Sequence, residues 1–94
     1  MLSKSEAFAA SFLRGKRGKD HDAAIDGADD AHRAMRGAGD LIRLAADRKR
    51  SCARWEAPFW REVDAVAMRF SKVYGDAYTS MVDNLFPRGG SDVA

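Results

Sequence analysis

Residues 58–86 constrain the fold more than any other part of the chain, because an apolar residue recurs there at every third or fourth position. Together with Trp55, this stretch contains seven of the nine aromatic residues. Side chains three and four positions apart lie on one face of an α-helix, so the spacing predicts a long helix that starts at Pro58 and supplies much of the core. The predicted core face consists of Phe59, Val63, Val66, Phe70, Val73, Ala77, Met81 and Leu85.

A second helix is predicted upstream, where small residues recur every seven positions. This column is formed by Ala24, Ala31, Ala38, Ala45 and Cys52, and it alternates with Ala28, Met35 and Ile42. Small residues let a neighbouring helix approach closely, so we expect the aromatic helix to lie in this groove as the other arm of an antiparallel hairpin. The same stripe also suits contact with a second copy of the chain in a homodimer.

Charges and glycines predict the boundaries of this second helix. Aspartates are favoured at helix N-termini, so we expect the helix to open near Asp20 or Asp22. Gly37 and Gly39 each cost about 1 kcal/mol relative to alanine inside a helix, and a break there would give four helices instead of three. The small-residue column keeps its phase across both glycines, which favours one continuous helix.

A short first helix is predicted from a capping-box pattern. Ser3 and Glu6 have the spacing at which each side chain accepts a hydrogen bond from the other residue's backbone amide. We expect this helix to cover about residues 4–14 and to close the hairpin, followed by a solvated connector that contains Gly15 and Gly18.

The predicted architecture is therefore all-α. A small bundle of three helices, or four if Gly37 and Gly39 break the second, forms a single domain over residues 1–86. The small polar residues at 87–94 predict a disordered C-terminal tail.

Charge is segregated along the chain although the net charge is only +2. Residues 14–19 carry +4 and residues 20–30 carry −5, whereas residues 31–54 carry +5 and residues 55–94 carry −2. Acidic residues near the start of the second helix and basic residues near its end are the arrangement that the helix dipole favours. A small nucleic-acid-binding protein is an alternative function, although the weak net charge argues against it. Candidate contacts to phosphates or to an acidic partner are Lys16, Arg17, Arg48, Lys49, Arg50 and Arg54.

The sequence carries no pattern typical of an enzyme or a metal site. His21 and His32 are separated by roughly 16 Å along a straight helix, so they cannot share an ion there. Cys52 is the single cysteine, and no histidine lies near it in sequence to activate it as a nucleophile. No apolar run approaches the roughly 20 residues that span a bilayer, and one cysteine suits a reducing compartment. We therefore expect a non-enzymatic protein without cofactor or metal in a bacterial host cytoplasm.

Aromatic residues are more numerous than the core of a small helical domain requires. Tryptophan, tyrosine and arginine are the residue types that dominate binding hot spots. We expect a protein partner, or a second copy of the chain, to bind a surface formed by some of Trp55, Trp60, Arg61, Tyr74 and Tyr78.

Two segments of the predicted third helix resemble a known family. WREV at residues 60–63 followed by VYGDA at residues 73–77 is similar to the C-terminal portion of phage-encoded type I-E anti-CRISPR proteins, which are also short helical chains. The spacing between the two segments differs by one residue. The resemblance implies a non-enzymatic inhibitor that occupies a protein surface of a type I CRISPR effector or of its nuclease. A bacterial adaptor or regulatory subunit of another complex is the alternative within this class.

Overall fold

A computed structural model describes residues 2–85 of the chain. No strand occurs within these residues, and the predicted all-α fold with three helices is confirmed. The predicted disordered tail at 87–94 lies outside the described residues. The elements are α1 over Lys4–Arg17, α2 over Ala28–Ser51, a 3-10 turn over Arg54–Glu56, and α3 over Ala57–Leu85.

The predicted capping box starts α1. The hydroxyl of Ser3 accepts a hydrogen bond from the Glu6 amide at 3.2 Å, and the Glu6 carboxylate accepts one from the Ser3 amide at 3.3 Å. At the other end, Gly18 adopts a left-handed φ of 76°, and its N–H donates to the carbonyl of Arg14 at 3.0 Å. This left-handed glycine is what ends the helix. The helix therefore continues past its predicted end near Arg14 to Arg17.

The second helix starts later than its acidic residues suggest. It begins at Ala28, so the predicted start near Asp20 or Asp22 is wrong. Four carbonyl groups of the preceding loop accept hydrogen bonds from the Arg17 side chain, and this holds the loop in a non-helical path. Gly27, with a φ of 90°, then turns the chain into α2 through a conformation that glycine adopts readily.

The two interior glycines of α2 do not interrupt it, so the predicted continuous helix is confirmed. A Cβ placed on Gly37 would lie 2.9 Å from the Cβ of Lys16 and 3.2 Å from the Cδ2 of Leu13. A Cβ on Gly39 would meet nothing within 4 Å. Gly37 therefore marks the point at which α1 lies directly against the α2 backbone.

The third helix is preceded by the 3-10 turn and begins one residue before Pro58. Two predicted core positions are wrong, because Val73 is 59% exposed and Leu85 is 65% exposed. Each residue of a helix is rotated by about 100° from the last, so Tyr74 takes the core position instead of Val73. Leu85 lies beside the first residues of α2, where the hairpin ends. The buried residues of α3 are Val63, Val66, Ala67 and Tyr74.

The small-residue column of α2 forms the predicted groove along its middle. Ala31, Ala38 and Ala45 are fully buried, and α2 and α3 lie against each other as an antiparallel hairpin. The ends of the column differ, since Ala24 is exposed in the loop and Cys52 is half-buried beyond the helix. The predicted hairpin is confirmed.

The buried side chains form two clusters, and α1 contributes to both of them. Ala9 belongs to the cluster nearer the α2–α3 connection, and Leu13 belongs to the other one. The first helix therefore closes the hairpin, as predicted. The first cluster is Ala9, Leu41, Ala45, Val63, Val66 and Ala67, and the second is Leu13, Ala34, Ala38 and Tyr74.

Candidate interaction surface

The connection between α2 and α3 holds a tryptophan in solvent. Trp55 is 80% exposed, the largest exposed fraction among the exposed large apolar side chains of residues 2–85. The connection is short and hydrogen-bonded, because the amide of Cys52 donates to the carbonyl of Arg48 at 2.8 Å and the amide of Glu56 donates to that of Ala53 at 2.9 Å. The indole is therefore presented on a tight turn between two long helices.

Trp60 lies at the start of α3 and belongs to a row of half-buried aromatic rings. Its ring centroid is 5.4 Å from that of Phe8 and 5.0 Å from that of Phe59, both in edge-to-face arrangements. Phe8 also contacts Phe12, with 6.5 Å between ring centroids. The guanidinium of Arg48 lies 5.9 Å from the Trp60 ring, a distance at which a cation is attracted to the ring face. Trp60 is thus half-buried and held in place by contacts with two aromatic rings and a guanidinium.

Arg54 and Arg61 are exposed and flank the two tryptophans in sequence. Neither forms an ion pair with another residue of the described range 2–85. We call Arg48, Arg54, Trp55, Trp60 and Arg61 the turn surface, since all five lie within two helical turns of the α2–α3 connection. The turn surface joins exposed aromatic area with cations that no carboxylate in residues 2–85 neutralises.

Two of the five predicted partner-binding residues lie far from this surface. Tyr74 is only 8% exposed and belongs to the second core cluster, and burial raises the pKa of its hydroxyl. Tyr78 is half-buried, with its ring 5.3 Å from that of His32. Residues 60 and 74 are separated by about 21 Å along α3. The structure therefore brings Trp55, Trp60 and Arg61 to one end of the hairpin and places the two tyrosines at the other.

Arg17 is the buried residue that organises the loop between α1 and α2. It is 1% exposed, and its Nε and Nη2 atoms donate to the two carboxylate oxygens of Asp30 at 3.0 and 2.5 Å. The guanidinium also donates to four backbone carbonyls of the loop at 3.0–3.4 Å, those of Asp20, His21, Ala23 and Ala24. This geometry corrects the predicted solvated connector and assigns Arg17 a structural role in place of the predicted external contact.

Asp30 lies in the first turn of α2 and pairs with Arg17. We call this pair, together with its hydrogen bonds to the loop, the buried clamp. The hydrogen bonds from Arg17 hold the pKa of its carboxyl well below the usual range, against the opposing effect of burial. The amide of Asp26 donates to the same carboxylate at 2.9 Å, and the ammonium of Lys19 lies 3.1 Å from it. Asp30 is therefore ionised in the folded protein and anchors three parts of the loop.

The remaining predicted basic contacts are exposed or partly exposed, and several are paired. Arg48 lies over Trp60, and Arg54 is free of ion pairs among residues 2–85. The other pairs are Lys16 with Asp40 at 3.6 Å, Lys49 with Asp64 at 2.8 Å, and Arg50 with Asp47. Such exposed pairs contribute little to stability and leave the cations accessible to other anions.

One group of residues with metal-ligand chemistry lies in the loop. The ligand atoms of Asp20, His21 and Asp22 all fall within 4.8 Å of one another. Contacts within the protein account for this arrangement, since His21 Nδ1 lies 2.8 Å from an Asp22 carboxylate oxygen and the Asp22 amide donates to Asp20 at 3.2 Å. The His21 ring also packs edge-on against Phe70. We assign no function to this group.

The sequence analysis missed a second basic group on the outer face of α2. Arg33 and Arg36 line a cleft together with Lys16 of α1. The three-residue spacing of the two arginines is visible in the sequence, but the approach of Lys16 follows only from the packing of α1 on Gly37. This group is separate from the turn surface.

Comparison with protein-family models, with curated proteins and with solved structures gave no match. The helices within residues 2–85 are too short or too polar to cross a lipid bilayer.

Proposed function

We propose that this protein acts without catalysis, by stoichiometric binding of another protein through the turn surface. The observation that carries the proposal is the exposure of Trp55, at 80%, on a short hydrogen-bonded turn. Burial of an exposed tryptophan against a partner makes the free energy of binding more favourable, and a pre-ordered turn reduces the entropy lost on binding. The five residues of the turn surface thus form a small, pre-organised anchor.

Charge supports a partner with an acidic surface. Within residues 2–85, Arg54 and Arg61 have no carboxylate partner, and the guanidinium of Arg48 contacts the Trp60 ring but no carboxylate. Arginines beside aromatic side chains are typical of binding hot spots, where their charge selects partners of opposite sign. The partner face that fits is an apolar pocket for an indole, rimmed by carboxylates.

The concrete form that we propose is a phage inhibitor of a type I CRISPR effector. The WREV segment that resembles the type I-E anti-CRISPR proteins begins with Trp60 and Arg61 on the turn surface. In the VYGDA segment, by contrast, Tyr74 is buried and Gly75 lies near Met35. We therefore assign Trp60 and Arg61 of the first segment to partner contact, and Tyr74 and Gly75 of the second segment to packing.

Phage plaquing on an immune host tests this form directly. Expression of the chain should restore plaquing on a host with an active type I system, and Trp55→Ala and Arg61→Ala should each abolish the effect. Val73→Ala is the matched control, because Val73 is also an exposed apolar residue, at 59%, but lies far along α3. Unchanged immunity across the type I systems tested would overturn the CRISPR assignment and leave the binding proposal standing.

The alternatives predict different biochemistry. An adaptor or regulatory subunit should co-purify a protein partner at physiological salt in a manner that depends on Trp55 but without any effect on immunity. A nucleic-acid-binding protein should form complexes that dissociate as salt is raised. A homodimer should show twice the chain mass in light scattering, and Trp55→Ala should then reduce the mass if the turn surface is its interface.

A further inference from the structure

A basic cleft lies between the end of α1 and the middle of α2, apart from the turn surface. It is lined by Lys16, Arg33, Arg36, Gly37 and Asp40, and its volume is about 230 Å³. Pockets that enclose drug-sized ligands start at roughly 300 Å³. The cleft therefore suits a small group and not a whole organic ligand.

The close packing of α1 against Gly37 creates this cleft. The Cβ of Lys16 would be only 2.9 Å from a Cβ on Gly37, so the absence of a side chain there is what brings Lys16 against α2. The ammonium of Lys16 is held on the same side by two contacts, 3.6 Å from a carboxylate oxygen of Asp40 and 5.5 Å from the centroid of the Phe12 ring. Tertiary packing thus places a third cation beside two arginines.

The charge of the cleft is not balanced by its own residues. The cleft is lined by three cationic residues and by a single carboxylate, that of Asp40, which is shared between Lys16 and the neighbouring Arg43, 3.4 Å away. Arg33 and Arg36 are exposed and form no ion pair with any of residues 2–85. Converging cations repel one another, and an anion between them removes that cost.

We propose that this cleft binds a phosphate group. Guanidinium groups present paired N–H donors that match the oxygens of a phosphate, and the lysine adds a third positive charge. The group recognised is a tetrahedral oxyanion with two negative charges, either free or at the end of a nucleotide or of a nucleic-acid strand. This site differs in residues and in ligand from the turn surface, so it does not depend on the proposed protein partner.

A nitrogen-15 NMR titration tests the site with three probes: inorganic phosphate, a nucleoside 5′-monophosphate and a short single-stranded DNA. The amides around Gly37 and the side-chain Nε–H signals of Arg33 and Arg36 should shift on addition of millimolar phosphate at constant ionic strength and pH. A tighter response to the monophosphate identifies a nucleotide as the source, and a response to DNA that is tightest of all identifies a strand. Equal responses identify free phosphate as sufficient.

The double variant R33Q/R36Q should weaken phosphate binding by about tenfold, since an exposed charge pair is worth roughly threefold to fivefold in affinity. The matched control is R14Q/R69Q, which removes two exposed arginines outside the cleft and the same total charge. The control should retain the affinity of the unmodified chain within a factor of about two. Equal weakening of phosphate binding in both double variants would show that only net charge matters and would overturn the proposed site. Chemical-shift changes that leave the amides around Gly37 unaffected would overturn it as well.

Discussion

Two basic segments of similar composition, one at the end of α1 and the other at the end of α2, hold their cations in different environments. Residues 14–19 and residues 48–54 each carry four cations. In the first segment Arg17 is fully buried by Asp30 and by the carbonyls of the loop. In the second segment all four cations remain exposed around a solvent-facing Trp55.

The role of each cation depends on the groups that the fold places around it. Arg17 ends α1, and its side chain reaches both an aspartate in the first turn of α2 and carbonyl groups of the loop between the two helices. The second segment ends α2 beside a short turn, where Arg54 meets no carboxylate of the described residues. Arg17 therefore stabilises the fold, whereas the cations of the second segment are exposed to solvent.

The largest expected effect comes from breaking the buried clamp. Arg17→Met should lower the free energy of unfolding by about 3–5 kcal/mol, because it leaves Asp30 as a buried charge without its partner. The matched change Arg50→Met in the second segment should alter it by less than about 0.5 kcal/mol. Urea denaturation of both variants measures the contrast, and similar losses in the two would contradict the assigned roles.

Alanine substitutions at the two interior glycines of α2 test the contact between α1 and α2. Gly37→Ala forces a methyl group against the Lys16 and Leu13 side chains and should destabilise the fold by roughly 1–2 kcal/mol after its gain in helix propensity. Gly39→Ala meets nothing within 4 Å and should stabilise it by about 0.5–1 kcal/mol. Thermal unfolding of the two variants tests this prediction. Changes in stability of the same sign in both variants would contradict it.

Acid should weaken the clamp. The pKa of Asp30 is lowered in the folded state by hydrogen bonds from Arg17, so its stabilisation is present above the unfolded pKa of about 4 and is lost as the pH falls below it. This one group contributes a slope of at most about 1.4 kcal/mol per pH unit. The free energy of unfolding from pH 7 downward should fall less steeply in Asp30→Asn than in the control Asp29→Asn. Parallel slopes would show that Asp30 is not the group responsible.

Substitution of Trp55, in the connection between α2 and α3, should have little effect on stability. Trp55→Ala should change the free energy of unfolding by less than about 0.5 kcal/mol, because the side chain is largely in solvent already. The same change should cost about 2 kcal/mol or more in partner binding if Trp55 is a hot spot. Denaturation together with a pull-down or plaquing assay separates the two quantities. A large loss of stability would instead identify Trp55 as a packing residue.

Much of the fold was predictable from local patterns, whereas the loop before α2 was not. The capping box of Ser3 and Glu6, the continuous α2 and the hairpin follow from spacings of a few residues, which act through helix geometry alone. The start of α2 was misplaced because aspartates at 20 and 22 favour a helix N-terminus locally. The competing hydrogen bonds come from Arg17, which belongs to another helix.

The position of the candidate surface was only partly predictable from the sequence. An excess of aromatic residues indicated a binding surface, and Trp55, Trp60 and Arg61 do lie at one end of the hairpin. Tyr74 was misjudged because a rotation of about 100° exchanges it with Val73 in the core, and the apolar pattern alone does not fix which of two adjacent residues faces inward.

Local sequence patterns are enough to predict that this chain is helical, where most of its helices lie, and that small and large residues pair across a hairpin. These properties depend on residues close in sequence. Which arginine is buried, which tryptophan faces solvent and which cations line the cleft beside Gly37 follow from the packing of the helices. Burial and charge pairing depend on the distance between atoms of different helices, which no single helical period specifies.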